Sequence, residues 1–319
     1  MSVLVFLESV DSNIKKSALE ALVYGRNIAG ATGGKLLAIA VGEGVDLSLA
    51  GVYGAEKIFH ITDSRFTQAD EQAFAEAIAD AANSNGVKNV VFAKSSLTDS
   101  ITPKLASMLQ ATAATNVVSL PDYSKGCEVK RSIFTGKAFE IVNINSEKKV
   151  FSVKKNAVEL SEAPAAGVVE KFSPNLSNKA FSIKTISTEK TTGEVLLSDA
   201  EIVVSAGRGL KGPENWGMII DLAKTLGAAT GCSKPVSDLN WRPHHEHVGQ
   251  TGIKVSPNLY FAIGISGAIQ HVAGISSSKV IVAINKDADA PIFKVATYGI
   301  VGDAFDIVPK LTAAIKAIQ

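Results

Sequence analysis

Three glycine-bearing stretches hold most of the chemistry this chain can offer: SAGRGLKG at 205–212, VGQTG at 248–252 and GISGAIQHVAG at 264–274. Glycine lets main-chain N–H groups approach a phosphate closely, and a helix starting just after such a loop adds a favourable dipole. A glycine at a strand-to-helix turn also does no more than permit the turn. Three such loops, each with polar side chains beside the glycines, favour a pyrophosphate-bearing ligand. An ordinary NAD-binding unit is not expected at 205–212, where Gly212 is read as out of register with the dinucleotide fingerprint. Gln270 and His271 follow an apolar run. On a short helix they fall near its first turn, with Ser266 expected as N-cap. His271 is then either a satisfied core histidine or a hydrogen-bond donor to a ligand.

Two further clusters carry less. RPHHEH at 242–247 raises a metal site, since His245 and His247 share a face in a strand. It lacks the HExxH hydrolase pattern and reads more simply as a solvated polar loop. KSSLTDS at 94–100 follows a strand and lacks the GxxxxGK[ST] of a phosphate-binding loop, so a capped helix start explains it.

Elements that alternate along the chain must position these loops. SVLVFLE (2–8), KLLAIAVG (35–42), KIFHIT (57–62) and NVVFAK (89–94) read as strands, with helices over 13–29, 67–82 and 100–109. Single helices between strands imply a mostly parallel sheet with helices on its faces. EVKRSIFTGKAFEIVNI (128–144) and KKVFSVKKNAVEL (149–160) read as consecutive added strands. Residues 161–193 read as an edge strand at 180–187 followed by a linker that could act as a hinge. The boundary is placed between an N-terminal α/β domain, 1–187, and a second domain, 188–319. There the rhythm restarts with strands at 201–207, 259–265 and 279–285 and helices at 216–226 and 304–317. The near-continuous apolar runs suit strands buried on both faces of a doubly wound parallel sheet.

Bulk properties exclude several classes. Of 319 residues, 46% are hydrophobic and 20% charged, as in a globular protein. A net charge of +1 gives no overall pull toward nucleic acid or a membrane surface. The two cysteines, Cys127 and Cys232, have no CxxC partner, so neither a disulfide framework nor a cysteine zinc site is expected. The start reads as a strand rather than a signal peptide, and no apolar run spans a membrane, so the cytoplasm is the expected location, with a processed mitochondrial matrix protein the alternative that would look the same.

Residues 259–285, LYFAIGISGAIQHVAGISSSKVIVAIN, resemble the signature of the electron transfer flavoprotein α subunit family. SAGRGLKGPENW, VGQTG and the terminal NKDADAPIFKVATYGIVGDAFDIVPKL follow the same pattern in the same order. The likeness is dense over 195–319. It is looser before that, where it rests on element order and RSIFTGKA (131–138). The resemblance implies an electron carrier that is not itself an enzyme, holding one FAD on the second domain. It implies a heterodimer in which the first domain packs against a β subunit. Electrons would pass from flavoprotein dehydrogenases, such as the acyl-CoA dehydrogenases of fatty-acid β-oxidation, to a membrane quinone oxidoreductase or other acceptor.

By matching position, the FAD site implied comprises Arg208, Ser233, Lys234, Val248, Gly249, Gln250, Thr251, Ser266, Gly267, Ala268, Ile269, Gln270, His271, Asn285, Asp303 and Ala304. Ser266, Gly267 and Ala268 would meet the pyrophosphate, and Arg208 would add a fixed charge. Thr251 would face flavin N5, Gln270 the ribityl chain, His271 the flavin O2 side, and Asn285 and Asp303 the adenosine. The family's usual Arg beside the flavin ring is replaced here by Lys234, which keeps the charge without the planar stacking surface. Without the resemblance, a nucleotide-cofactor-dependent oxidoreductase subunit using the same loops for NAD, or a nucleotide-binding regulatory subunit, stays open.

Overall fold

The computed structural model describes residues 2–68, 70–136, 138–183, 185–187, 196–197 and 200–318. The chain forms two compact units. One comprises Met1–Ile133 with Ala138–Thr188, and the other Phe134–Lys137 with Glu189–Gln319.

The first unit is built on a nine-stranded sheet. Its strands are β1 (Ser2–Leu7), β4 (Leu36–Val41), β5 (Lys57–Ile61), β6 (Val87–Ala93), β7 (Thr112–Val117), β8 (Glu128–Ile133), β9 (Ala138–Asn143), β10 (Lys149–Val153) and β11 (Val168–Lys171). A small hairpin, β2 (Ser9–Val10) with β3 (Asn13–Ile14), lies outside it. Helices α1 (Lys16–Thr32), α2 (Ser48–Val52), α3 (Glu71–Ser84) and α4 (Ser96–Leu109) complete the unit. The strand order is β11-β5-β4-β1-β6-β10-β7-β8-β9, parallel except where β8 pairs with β7 and β9. β1 is buried from Val3 to Leu7 because core clusters lie on both sides of the sheet. A capping box explains the start of α4: Ser95 Oγ accepts from Thr98 N at 3.2 Å, and Thr98 Oγ1 accepts from Ser95 N at 2.8 Å.

The added strands differ from the sequence reading. Only β8 and β9 form an antiparallel hairpin, and β10 leaves it to sit between β6 and β7, parallel to both. The cause is burial: Val150, Phe151 and Ser152 are fully buried and Val153 nearly so, which a strand at the rim cannot achieve. The expected edge strand is also displaced. Residues 168–171, not 180–187, pair with β5, tied by Lys57 Nζ to Glu170 Oε2 at 2.5 Å. Phe172 then packs on Phe59 and Phe181 on Phe66, and Ala180 is buried. The chain as far as Phe181 is thus anchored to the first unit rather than free as a linker. Of the remaining linker expectation, residues 188–193 lie outside the described residues.

The second unit is a five-stranded parallel sheet in the order β13-β12-β14-β15-β16, with β12 (Ile202–Ala206), β13 (Ala229–Cys232), β14 (Leu259–Ile263), β15 (Val280–Asn285) and β16 (Tyr298–Val301). Helices α5 (Gly217–Leu226), α6 (Lys234–Asp238), α7 (Ile269–Ile275) and α8 (Ala304–Ile318) accompany it. One core packs Ile219, Leu222 and Val308 against Val204 and Ile263, and another packs Ile275 and Ile292 against Val203 and Tyr260. Both sheet faces are covered, as a doubly wound fold requires. Taken from β12, the order is 2-1-3-4-5. Its switch point lies between β12 and β14, where such sheets bind their ligands at the carboxyl ends of the strands.

Candidate functional site

The residues that leave those carboxyl ends are the ones the sequence singled out. After β12, Gly207 N donates to Ile263 O at 2.9 Å and Gly209 N to Gly264 O at 3.1 Å. A Cβ on Gly207 would lie 2.4 Å from Gly264 O, and one on Gly209 2.7 Å from Gly264 Cα. Gly207, Gly209 and Gly212 do fall at the first, third and sixth positions of the dinucleotide fingerprint, so the register objection is incorrect. What sets the loop apart is hydrogen bonding. The N–H groups of Gly207, Gly209, Leu210, Lys211 and Gly212 are all engaged by the chain itself, which leaves no cradle for a pyrophosphate there. Arg208 stays exposed at the head of this turn.

After β14 the arrangement is the reverse. Among the described residues, none accepts from the N–H groups of Ser266, Gly267 or Ala268. Ser266 and Ala268 are exposed. Gly267, at φ +85°, leaves room for a Cβ only 2.3 Å from Ile292 N, so the loop rests directly on the Pro291–Lys294 turn. Ser266 O accepts from Ile292 N at 3.0 Å. The N-cap of α7 is Ala268 rather than the expected Ser266, because the chain needs the two extra residues to turn over Ile292. Exposed Ile269 and Gln270 begin the helix, and His271 points into the core.

The 248–252 loop is held against this helix start. Gln250 N donates to Gln270 O at 2.8 Å, and the main chains of Gly249 and Gly274 approach so closely that a Cβ on Gly274 would lie 2.6 Å from Gly249 Cα. Val248 and Gly249 are buried while Gln250 and Thr251 are exposed. Val248 N donates to Cys232 O at 2.9 Å, which sets the loop beside the end of β13 and therefore beside Ser233, buried, and Lys234, exposed, at the head of α6. A separate small cleft of about 40 Å³ gathers Asn285, Asp303 and Ala304 with Gly209, Lys211, Gly264 and Lys286. Asn285 Nδ2 donates to Ile265 O at 2.9 Å, and Asp303 Oδ1 accepts from Phe305 N at 3.0 Å. Sequence reasoning missed Lys211 and Lys286, whose only signal is a place beside Gly212 and Asn285.

His271 and RPHHEH acquire definite environments. Burial pushes the His271 imidazole down to about 4, against a smaller opposing effect of the Val248 main chain, so the ring is neutral at pH 7. In the chain by itself the ring is therefore uncharged, with a single N–H to offer. Within RPHHEH, Arg242 Nε donates to Glu246 Oε2 at 2.8 Å, the second guanidinium nitrogen bonds Oε1, and the cation lies 5.7 Å from the Trp216 ring. Glu246 is almost fully buried. No group of three or more His, Cys, Asp or Glu among the described residues could hold a metal. The run is an internal ion pair that braces the loop following it.

These placements outline an α/β protein with free main-chain donors at the carboxyl edge of its second sheet, where folds of this class bind phosphate-containing cofactors. Comparison with known proteins narrows that class. A family model described as "Electron transfer flavoprotein domain" matches residues 3–177, and one described as "Electron transfer flavoprotein FAD-binding domain" matches residues 196–276. The electron transfer flavoprotein subunit alpha of Bacillus subtilis is 35% identical over 322 residues, covering 99% of this chain and 98% of that one. Its counterpart in Syntrophomonas wolfei is 36% identical over 319 residues, 98% of each chain. The mitochondrial subunit of Oryza sativa subsp. indica is 34% identical over 98% of this chain and 89% of its own. The chain belongs to the electron transfer flavoprotein family as an α subunit, an FAD-binding electron carrier. No helix among the described residues is long and apolar enough to cross a membrane.

The residues present fit FAD. Free N–H groups at 266–268 suit a pyrophosphate, and the Asn285–Asp303 cleft offers polar groups of the kind an adenosine takes.

Proposed function

We propose that this α subunit pairs with a β subunit through its first unit and carries electrons from flavoprotein dehydrogenases, acyl-CoA dehydrogenases among them, to a membrane quinone oxidoreductase or other acceptor. The cytoplasm is the proposed location in a bacterium, in keeping with its bacterial relatives. The single observation that carries the site reading is the contact of the 248–252 loop with the start of α7, Gln250 N to Gln270 O at 2.8 Å, beside the switch point of the sheet.

The bound flavin supplies the redox chemistry, accepting and releasing electrons one or two at a time. The chain supplies position and electrostatics. Ser266, Gly267 and Ala268 hold the pyrophosphate through main-chain donors, and Arg208 adds charge nearby. Thr251 places a hydroxyl that donates or accepts at the ring edge. His271 presents a neutral imidazole on the far side, and buried Val248 and Gly249 exclude water beneath the loop. Nothing here acts as nucleophile, general acid or general base. The NAD alternative is not favoured, because the N–H groups of all three fingerprint glycines are already bonded.

Co-purified with its β subunit, the chain is expected to show flavin absorption bands in the visible. A colourless, folded complex would overturn this reading. Lys234 gives a finer expectation. Its ammonium keeps the positive charge beside the ring, but a hydrated point charge cannot stack. Lys234→Arg is therefore expected to shift the first one-electron step in favour of the reduced, anionic ring. A threefold change in that equilibrium corresponds to about 28 mV, at ~59 mV per tenfold. Redox titration of the two proteins measures it, and an unchanged first potential rejects a stacking role at position 234.

A further inference from the structure

We propose that Tyr260 is a positioning residue for His271: its hydroxyl donates to His271 Nε2 and so fixes the imidazole as the tautomer that carries its proton on Nδ1. Tyr260 lies in β14 and is fully buried, and His271, in the first turn of α7, is 6% exposed. Tyr260 Oη and His271 Nε2 are 3.0 Å apart, with the ring centroids 6.1 Å apart and the planes at 55°. The loop through Ser266–Ala268 thus begins at a strand and ends at a helix whose polar side chains are bonded to each other in the core. That bond closes the cofactor loop from behind.

The direction of the proton follows from counting donors. A phenol has one O–H and a neutral imidazole one N–H. Ser205 Oγ, the other hydroxyl on this face, makes no hydrogen bond of ordinary geometry and acts on the phenol oxygen as a donor, so it does not take the Tyr260 proton. A buried O–H left undonated is costly, and donation to Nε2 avoids that cost. Nε2 then accepts, and the ring proton must sit on Nδ1. This nitrogen is buried and makes no hydrogen bond of ordinary geometry, while the Val248 main chain interacts with the ring. The one proton His271 offers is therefore directed toward the segment that begins the VGQTG loop. The opposite tautomer would turn a lone pair there.

This inference rests on the reading of His271 as a cofactor-facing residue, and the experiment separates the two. The full chain, co-purified with its β subunit and labelled with ¹⁵N-histidine, is examined by long-range ¹H–¹⁵N correlation, with and without flavin, in wild type and Tyr260→Phe. The expected result is a protonated Nδ1 in wild type that becomes a mixture of tautomers in the variant. With it goes at least a threefold change in the one-electron equilibrium of the bound flavin, about 28 mV, at unchanged FAD content. Protonated Nε2 in wild type overturns the proposal, and so does a tautomer unaltered in Tyr260→Phe. A tautomer lost with no change in the redox equilibrium makes the bond merely structural and also overturns it. Should Tyr260→Phe not fold, the wild-type phenolic proton decides: bonded to Nε2 it exchanges slowly and correlates with that nitrogen, and its absence refutes the bond. A complex that binds no flavin defeats the functional reading, while the tautomer measurement still judges this one.

Discussion

Gly267→Ala is expected to release FAD and to destabilise the second unit by about 3 kcal/mol or more. At φ +85° the backbone of residue 267 lies where a side chain is strained, which alone costs about 1–3 kcal/mol. The added methyl would also stand 2.3 Å from Ile292 N and 2.5 Å from Ile292 Cα. Those are main-chain atoms of a turn, and no rotamer change moves them away. Either the loop lifts or the turn shifts, and both break the bond from Ile292 N to Ser266 O. The unengaged N–H groups at 266–268 are then displaced, and every 1.4 kcal/mol of lost binding is about a factor of ten in flavin retention. Gly227→Ala is the control: its φ is +61°, yet a Cβ there meets nothing within 4 Å. That variant is expected to lose only about 1 kcal/mol and to keep its flavin. Urea midpoints and visible absorbance of the two purified complexes make the comparison. Equal losses would show that strain at φ, not the Ile292 contact, governs position 267.

Arg242→Ala is expected to cost roughly 2–4 kcal/mol, because it strands a buried carboxylate. Glu246 is 2% exposed and its two oxygens are held by the same guanidinium. Arg242 is itself partly exposed, which places the effect below that of a fully enclosed pair. Loss of the Trp216 contact adds about 0.5–1 kcal/mol. The damage reaches the cofactor because Glu246 is followed directly by buried His247 and Val248, the start of the VGQTG loop. Arg242→Met combined with Glu246→Leu is expected to recover most of the stability, since replacing both ions removes the unpaired charge. Thermal unfolding of Arg242→Ala and of the double variant makes the comparison. A double variant no better than Arg242→Ala would show that packing on Trp216, rather than the stranded charge, sets the cost.

The sequence disclosed some parts of this molecule better than others, and the difference is physical. β14 and β15 announce themselves because strands buried on both faces must be apolar at nearly every position. β16, YGIV, is short and exposed throughout, and β13, ATGC, has neither bulk nor alternation, so both escape a pattern search. β10 is recognisable as a strand, but nothing local says that it returns to the middle of the sheet. Among the loops, glycines mark where the chain turns at strand ends, yet spacing alone does not say which N–H groups are free. GRGLKG has the fingerprint spacing but five of its six N–H groups are bonded within the chain, while ISGA has free donors and not the spacing. The Tyr260–His271 bond and the Arg242–Glu246 pair depend on how a strand faces the next helix, and on a tight turn where four-residue spacing is not that of a helix. Neither is written in residue types.

The two thiols lend the molecule a practical property. Cys127 is 4% exposed and Cys232 fully enclosed, and burial raises both, Cys232 to about 12. Neither forms a thiolate at neutral pH, so alkylating reagents find no native target on the folded chain. A single cysteine introduced on the surface of each unit would take a spectroscopic label without background. Distances within the working carrier could then be read during turnover, with both native cysteines left in place.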